Sequence, residues 1–442
     1  MDKMNDRSTE YAEALSHLIQ AETVSTAQQT NSDKFFAFQQ LLRKTFPAVF
    51  SAVSQENFGA SFLLKWPGKN SVKEPVLLMS HHDVVEAGGG WSHQPFSGDI
   101  DDGKVWGRGT LDTKGNLWAM LQAAEELIVS GFVPERDVFF ASGCNEETDG
   151  SGADAISRTL ADRGVRFFMT LDEGGMILHE PVGGVHATFA MVGVAEKGCT
   201  DLRFTARGNG GHASTPGKNT PLVRLGRFMA AVERAKIFRA KMSPVVQEMF
   251  YRMAPYMSGA MKFFCTHIRF FKSLMTGILP AVSPAANAML RTTLAFTMAK
   301  GSDGLNVLPQ EAWVTGNMRF SHHQGRGASI AAVKKLAQKY DIEVKILDPG
   351  FESPVTNYQS EPFRLVEQTV HDVFPDTEVS PYIMTAASDS RFYGRVCQNC
   401  IRFAPFRITE QQMESIHGPD ENIAISALEP AVRFYTSILE KI

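Results

Sequence analysis

The sequence predicts an α/β protein, with a mostly parallel central sheet and a second, two-layer α+β domain inserted into it. Short apolar runs at residues 76–79, 137–142 and 166–171 are typical of buried strands. Helical patterns separate these runs, and strands that alternate with helices form parallel sheets. Near residue 197 glycines break the alternation, and a different pattern of strands and helices begins. We therefore place a domain boundary there.

Length and composition indicate a globular protein of two or three domains. The chain has 442 residues, of which 43% are hydrophobic and 21% are charged, and this length exceeds that of one ordinary domain. The formal net charge is −4 without a long basic block, so nucleic-acid binding is not supported. Residues 1–20 lack the apolar core of a signal peptide and the five cysteines are scattered, which predicts a reducing, cytoplasmic location.

The first domain is predicted to be discontinuous, with residues 1–196 as its first part and residues 351–442 as its second. The second part has to return to the first because His417 belongs with the acidic residues discussed below. The elements predicted for this domain are helices at residues 10–20 and 33–45, a strand at 76–79, a helix at 113–130, strands at 137–142 and 166–171, and a helix at 361–373.

Residues 197–350 form the predicted inserted domain, a lid of one sheet and one helical layer. A lid domain with an exposed strand edge pairs readily with its twin, so we expect a homodimer through the lid. A monomer is the alternative if the insertion described below covers that edge. The elements predicted for the lid are strands at residues 200–206, 312–320 and 342–347, and helices at 220–233 and 328–340.

A Phe- and Met-rich insertion interrupts the lid at about residues 238–297. Lys262, Arg269 and Lys272 divide it, so no apolar run reaches the roughly 18 residues that a membrane span requires, and we expect no integral membrane segment. We predict a helical pair packed onto the lid. An interfacial or acyl-binding surface is the alternative.

The candidate site begins directly after the strand at residues 76–79, with His81, His82 and Asp83. Alternate side chains of an extended backbone share a face, so His81 and Asp83 point together. This pattern suits an imidazole bound to a metal ion, with a carboxylate behind it that fixes the tautomer. Asp112 follows in a glycine-rich turn between a strand and the helix predicted at residues 113–130, whose pattern is amphipathic. One His-x-Asp alone is more often a hydrogen-bonded core feature.

Other acidic and imidazole side chains favour the metal site. Glu146 and Glu147 follow the second buried strand, Asp172 follows the third, and His417 lies in a loop near the end of the chain. In an open α/β sheet, ligands gather at the carboxyl ends of the strands. We therefore expect these side chains to meet His81.

Several motifs occur in an order that is specific to one family. They are HHDVV, GRGTLDTKG, NEETDGSGA, LDEGG, GGHASTP, NVLP with GNMRF, ASDSRFY and IHGPDE. With them the chain resembles the M20-type co-catalytic metallopeptidases, which include aminoacylase, succinyl-diaminopimelate desuccinylase and carboxypeptidase S. It is most similar to the carboxypeptidase S and N-fatty-acyl-amino-acid hydrolase branch, because residues 289–293 follow a Phe-rich insertion. Glu86 departs from the pattern, since many members have proline there.

The resemblance implies a zinc-exopeptidase-like catalytic domain that holds two divalent metal ions. Such a site needs a bridging carboxylate, with one imidazole and one further carboxylate for each ion. Asp112 would bridge, His81 and Asp172 would hold one ion, and Glu147 and His417 would hold the other. Zinc suits these nitrogen and oxygen ligands, and Co²⁺ or Mn²⁺ could replace it.

Three residues are expected to act in catalysis. Glu146 diverges from its neighbour Glu147 on an extended segment, so we expect it to face the attacking water as general base and then as acid toward the leaving amine. Asp83 would orient His81. The resemblance implies that His212 stabilises the oxyanion, often in the site of the neighbouring subunit. The alternatives are a solvated acidic turn for Glu146 and Glu147 and a surface histidine for His212.

The resemblance also implies residues that hold the substrate. An arginine suits a planar α-carboxylate, although a surface salt bridge is the alternative for Arg319. The substrate-binding residues expected are Arg319, Asn306, Ser388 and Asp389.

Together these features predict a two-metal hydrolase that releases an amino acid with a free carboxylate. The expected substrates are short peptides of the Gly-Xaa type, and the alternative is an N-acyl, possibly fatty-acyl, amino acid. Motifs cannot separate the two, because the chemistry at the carbonyl is the same. A metal-binding protein without hydrolytic activity is the alternative from another class, and Glu146 argues against it.

Overall fold

A mixed sheet of ten strands lies at the centre of the structure, a computed structural model that describes residues 6–28 and 32–442. Residues 1–5, part of the segment tested for a signal peptide, lie outside that range. The strands are β1 Ser54–Phe58, β2 Ser61–Trp66, β3 Val76–Met79, β4 Ile100–Asp101, β5 Lys104–Trp106, β6 Val138–Ser142, β7 Met169–Asp172, β8 Ile177–His179, β9 Thr188–Glu196, β10 Gly198–Arg207, β11 Gly211–His212, β12 Thr293–Lys300, β13 Val307–Leu308, β14 Glu311–Phe320, β15 Glu343–Phe351, β16 Glu378–Met384, β17 Cys400–Arg402, β18 Arg407–Ile408 and β19 Asn422–Ala424.

The described residues also form fifteen α-helices, which pack around the strands. They are α1 Asp6–Ile19, α2 Asp33–Thr45, α3 Pro47–Ala52, α4 Lys114–Val129, α5 Ser151–Asp162, α6 Pro221–Arg234, α7 Pro244–Met253, α8 Gly259–Thr266, α9 Ile268–Val282, α10 Pro284–Leu290, α11 Gly325–Gln338, α12 Glu361–Val373, α13 Ser390–Tyr393, α14 Glu410–Ser415 and α15 Leu428–Lys441. Among the described residues, no helix is both long and apolar enough to cross a membrane.

The centre of the large sheet is parallel, as predicted. The strand order is β1-β2-β6-β3-β7-β17-β9-β8-β18, and β16 also pairs with β9. β3 runs parallel to β6 and β7, and β17 runs parallel to β7, whereas β2 and β8 form antiparallel pairs. The carboxyl ends of β3, β6 and β7 therefore lie at one edge of the sheet, which is where ligands bind in such folds.

Helix α4 differs from the amphipathic helix predicted at residues 113–130. The consecutive residues Leu117, Trp118, Ala119 and Met120 are all buried, although consecutive residues point to different sides of a helix. The reason is that α1, α3 and α15 pack around it. The start of α4, directly after Asp112, is consequently held inside the core.

The second sheet is antiparallel, in the order β12-β14-β10-β15, and α6 and α11 pack on it. Its core, around Phe204 and Phe228, forms a hydrophobic cluster separate from that of the large sheet. β9 ends at Glu196 and β10 begins at Gly198, so Lys197 joins the two sheets. The exact domain boundaries stay a prediction.

The Phe-rich insertion forms four helices, α7 to α10, and it does not pack as predicted. The buried apolar side chains of these four helices, including Val246, Met249 and Met275, belong to the hydrophobic cluster of the large sheet. The apolar side of α7 packs against β16. The prediction of a helical pair packed onto the lid is therefore wrong, because β16 offers the insertion an apolar surface in the first domain.

Candidate metal centre

His81 stands just beyond the carboxyl end of β3 and is 2% exposed. Its Nδ1 lies 3.0 Å from the backbone oxygen of Asp83 and 3.4 Å from the Asp83 carboxylate. Its Nε2 lies 3.0 Å from Oδ1 of Asp112. His82 points the other way and stacks between Phe38 and Phe62. The backbone therefore aims the Nε2 of His81 at Asp112.

The Asp83 carboxylate is fully buried and joins three separate parts of the chain. It accepts hydrogen bonds from the hydroxyl of Ser25 at 2.6 Å and from the backbone amides of Glu146 and Glu147, each at 3.1 Å. Asp83 thus fixes the glutamate pair that follows β6 as well as the ring of His81. This position agrees with the predicted role of Asp83 in orienting His81.

Asp112 lies between two imidazoles. Its Oδ2 is 3.0 Å from Nε2 of His417, which also lies 3.2 Å from Oε2 of Glu147. In the described part of the chain, His81, Asp112 and Glu147 form the one group of potential metal ligands whose donor atoms all lie within 4.8 Å of one another. The Asp112 carboxylate thus faces an imidazole with each oxygen, as a bridging ligand would.

His417 reaches this group through an unusual backbone conformation. It follows α14 with a φ of 62°, in the left-handed region that residues with a side chain seldom adopt. Hydrogen bonds to Asp112 and Glu147 raise the pKa of His417 to about 10. Strained backbone of this kind concentrates at functional sites, and the carboxylates of Asp112 and Glu147 both face the imidazole of His417.

A buried ion pair that the sequence analysis missed fixes the Asp112 loop. Arg108 and Glu421 are 2.6 Å apart, with side chains 1% and 0% exposed. Oε1 of Glu421 accepts hydrogen bonds from the amides of Gly109, Leu111 and Asp112, and Arg108 donates to the carbonyl of Gly418. Arg108 lies in the motif GRGTLDTKG and Glu421 in the motif IHGPDE. Their place in these motifs was the one signal in the sequence that could have indicated the pair. The pair connects the loops of Asp112 and His417.

Glu146 has a partner that the sequence analysis also missed. Its Oε1 accepts a hydrogen bond from Arg391 at 2.6 Å, and the two side chains are 11% and 8% exposed. Burial raises the pKa of Glu146 to about 7, although Arg391 acts in the opposite direction. Glu146 is thus a carboxylate held in place whose pKa suits proton transfer near neutral pH.

Asp172 is buried, but it lies outside the group around Asp112. Its two oxygens accept hydrogen bonds from the amides of Glu173 at 2.9 Å and Ser390 at 2.7 Å. Ser388 and Asp389 come just before Ser390 in the chain and are also buried. The backbone amide of Ser388 donates a hydrogen bond to the carboxylate of Glu196 at 2.7 Å. The Ser388 amide is thus engaged within the protein. Metal binding by Asp172 and substrate binding by Ser388 and Asp389 stay predictions.

His212 and Asn306 lie together on the lid, and the structure does not place them with the metal ligands. His212 is exposed on β11, and its Nδ1 is 2.7 Å from the hydroxyl of Ser214. Ala213 is the residue after His212, and its backbone amide donates a hydrogen bond to the carbonyl of Asn306 at 2.9 Å. Within one chain, the described contacts of His212 therefore stay inside the lid.

Arg319 lies on β14, opposite Cys199 of β10, and is half-buried. Its Nε donates to Asn317 at 3.0 Å. This contact within the sheet differs from the surface salt bridge that was the alternative, since Arg319 has no carboxylate partner among the described residues. The guanidinium retains donors for a ligand.

Comparisons with known proteins agree with this geometry. The model of peptidase family M20/M25/M40 matches residues 77–441. The chain is 31% identical to the probable carboxypeptidase S-like 2 of Dictyostelium discoideum, over 98% of this chain and 85% of that protein. It is also 31% identical to the N-fatty-acyl-amino acid synthase/hydrolase PM20D1 of Homo sapiens, over 97% of this chain and 87% of that protein.

A solved structure supports the fold. The M20 family metallo-carboxypeptidase Sso-CP2 from Sulfolobus solfataricus has a TM-score of 0.74 and 16% sequence identity, and the match covers 99% of both chains. The predicted resemblance and the predicted fold class are both confirmed. The chain belongs to peptidase family M20/M25/M40, and it is a hydrolase of the metallopeptidase type.

Proposed function

We propose that this enzyme hydrolyses the amide bond before the last amino acid of short peptides of the Gly-Xaa type. The observation that supports the proposal is the meeting of imidazoles and carboxylates around Asp112, with Glu146 beside them. A relative named as a probable carboxypeptidase, aligned over 98% of this chain, agrees with a peptide substrate.

The residues around Asp112 fit divalent metal ions. Oε1 of Glu147 is buried without a hydrogen-bond partner among the described residues, so it is available as a ligand. We propose His81, Asp112, Glu147, Asp172 and His417 as the ligands of two ions, with Asp112 shared. Imidazole and carboxylate without thiolate suit Zn²⁺, and Co²⁺ or Mn²⁺ are the alternatives. When bound, such ions polarise the scissile carbonyl and lower the pKa of water.

Glu146 moves the proton in the proposed reaction. Its carboxylate takes a proton from the attacking water as the carbon–oxygen bond forms, and gives it to the amine as the carbon–nitrogen bond breaks. Arg391, 2.6 Å away, holds the carboxylate in position. Arg319 would bind the α-carboxylate of the substrate together with Asn306, and His212 would donate a hydrogen bond to the oxyanion.

An N-acyl amino acid is the second candidate substrate. The observation that favours it is the Phe-rich insertion, which exposes Phe263 and Phe270. A relative named as an N-fatty-acyl-amino acid synthase/hydrolase aligns over 97% of this chain. Both substrates have an amide bond next to an amino acid with a free carboxylate, so the same residues serve either.

A matched substrate panel tests the proposal. The zinc-loaded enzyme is offered one amino acid as its Gly-Xaa dipeptide, its N-acetyl form and its N-oleoyl form, and the dipeptide with an amidated C-terminus serves as control. We expect the dipeptide to have the highest kcat/KM, and amidation to lower it on the order of 100-fold because Arg319 loses its anion. A higher value for an N-acyl form would select the second candidate. Hydrolysis of none would refute both.

The role of Glu146 as the general base is tested separately with the substitution Glu146→Gln. The substitution keeps the shape of the side chain, so we expect metal content to remain while turnover falls on the order of 100-fold or more. Metal content is measured by atomic emission and turnover on the preferred substrate. Turnover equal to that of the wild type would show that another residue is the base.

A further inference from the structure

The helices α8 and α9 present an apolar surface that nothing in the described chain covers. α9 buries Ile268, Met275 and Leu279 in the core of the first domain. Another side of the same helix stays exposed at positions four residues apart. This outer face consists of Phe270, 84% exposed, Leu274, 48%, Ile278, 48%, and Val282, 67%.

Helix α8 extends the outer face. Phe263 is 53% exposed, and its ring lies 5.6 Å from the ring of Phe271 on α9. Met261 is 41% exposed on the same helix. Single exposed apolar residues are ordinary, but a contiguous set across two helices marks an interaction site.

The net charge of residues 249–302 indicates what kind of partner would bind the outer face. Residues 249–302 contain six lysines and arginines and no aspartate or glutamate, although the whole chain carries a net charge of −4. Lys262, Arg269 and Lys272 form no ion pair with other described residues, whereas Arg252 pairs with Glu248 and Glu367. The outer face is therefore accompanied by unneutralised positive charge.

The positions of the cations suit a lipid surface. At about 100° per residue, Arg269 and Lys272 project from the side of α9 that is opposite the outer face. An interfacial helix buries its apolar side at the boundary of the acyl chains and places its lysines and arginines among the headgroups. A second copy of this segment offers these cations no acidic partner, because residues 249–302 contain no aspartate or glutamate.

We propose that the outer face of α8 and α9 docks the protein onto the surface of an anionic lipid bilayer. Phe263, Phe270 and Leu274 enter the boundary of the acyl chains, and Lys262, Arg269 and Lys272 contact the lipid phosphates. The 15 residues of α9 lie along the surface, because a span requires about 20. This inference is independent of the substrate.

Vesicle sedimentation with the full chain tests the proposal. We expect binding to vesicles of phosphatidylcholine mixed with phosphatidylglycerol, and weaker binding to phosphatidylcholine alone or at high salt. Phe270→Ser with Leu274→Ser should lower the partition coefficient at least about tenfold, since two large apolar side chains are removed. The matched control is Val72→Ser with Leu305→Ser, which alters side chains that are 92% and 107% exposed elsewhere and should bind as the wild type does.

Charge reversal separates the electrostatic contribution to vesicle binding from the apolar one. Arg269→Glu with Lys272→Glu should abolish the preference for phosphatidylglycerol, whereas Lys334→Glu with Lys335→Glu, on the exposed side of α11, should preserve it. Circular dichroism verifies folding of each variant. Equal binding to neutral and anionic vesicles, or no binding by the wild type, would overturn the proposal. So would sedimentation velocity that shows a dimer dissolved by the Phe270 and Leu274 changes, since the outer face would then bind a second copy.

Discussion

The proposed metal ligands around Asp112 depend on neighbours that hold them in place. Asp83 fixes His81 and the amides of Glu146 and Glu147, and Glu421 fixes the amide of Asp112 itself. Residues behind the ligands orient them and tune their affinity for metal. At the scale of single residues, the site therefore rests on the buried carboxylates of Asp83 and Glu421.

Removing the charge of Glu421 should weaken the metal site as well as the fold. Glu421→Gln leaves Arg108 buried without its partner, which lowers the free energy of unfolding by about 3 kcal/mol, and it loosens the Asp112 loop, which lowers zinc affinity about 10- to 100-fold. Competition titration with a zinc chelator and urea unfolding measure the two effects. Glu56→Gln, in the exposed pair with Arg163, is the control and should change neither. Unaltered zinc affinity beside lowered stability would limit Glu421 to a structural role.

Sequence alone predicted that His81, Asp112 and Glu147 lie together, and it missed the partners of Glu146 and Asp112. His81, Asp112 and Glu147 stand at the ends of strands or in short motifs, so spacing and chemistry identify them. Arg391 is 245 residues from Glu146, and Glu421 is 309 residues from Asp112. Local patterns have no information on pairs so far apart, because only the packed sheet brings them together.

At the scale of elements, Lys197 is the residue that joins the two sheets. It is 2% exposed, and its Nζ donates to the carbonyl of Arg291 at 3.0 Å and to the hydroxyl of Thr293 at 3.2 Å. These contacts connect the end of β9 to the start of β12. Burial lowers the pKa of Lys197 to about 7, and the charge of Arg319 adds to the effect.

The lowered pKa predicts a stability that rises with pH. In the unfolded chain a lysine keeps a pKa of about 10.4, so between about pH 7 and pH 10 the unfolded state binds more protons than the folded state. The free energy of unfolding then increases with pH, by up to about 1.4 kcal/mol per unit from this residue. Urea unfolding at several pH values should show this slope in the difference between the wild type and Lys197→Met. Lys334→Met, at an exposed lysine, should show none, and a flat difference for Lys197 would refute the prediction.

The order of the elements was easier to predict than their packing. The strands at residues 76–79 and 137–142 were recognisable because uniformly apolar runs of this length suit buried strands. The position of the insertion was not recognisable, because β16, the strand against which α7 packs, lies about a hundred residues further along the chain. Periodicity shows which side of a helix is apolar but not what covers it.

At the scale of the whole molecule, the open question is whether the active site is shared between chains. His212 is exposed, and its described contacts lie within the lid. The edge strands of the lid sheet, β12 and β15, are exposed along most of their length. We keep the homodimer through the lid as a prediction, in which His212 reaches the partner's metal site.

Mixing two inactive variants tests the shared site. Chains with Glu146→Gln and chains with His212→Ala should regain activity together, because about half of the randomly formed dimers carry one site with both groups, which gives about a quarter of wild-type activity. Each variant mixed with itself is the control. If subunit exchange is verified by mass spectrometry and activity stays absent, His212 acts in its own chain or not at all.

The place of β17 in the large sheet has a consequence for synthesis. β17, Cys400–Arg402, lies between β7 and β9, which end more than 200 residues earlier in the chain. On the ribosome, the first domain therefore waits for nearly the whole chain before its sheet can close, at about 5–20 residues per second. The lid sheet needs only β10 to β15 and can fold meanwhile. The domain that is translated first is thus completed last, and during that delay its apolar strands β7 and β9 are without the strand that lies between them.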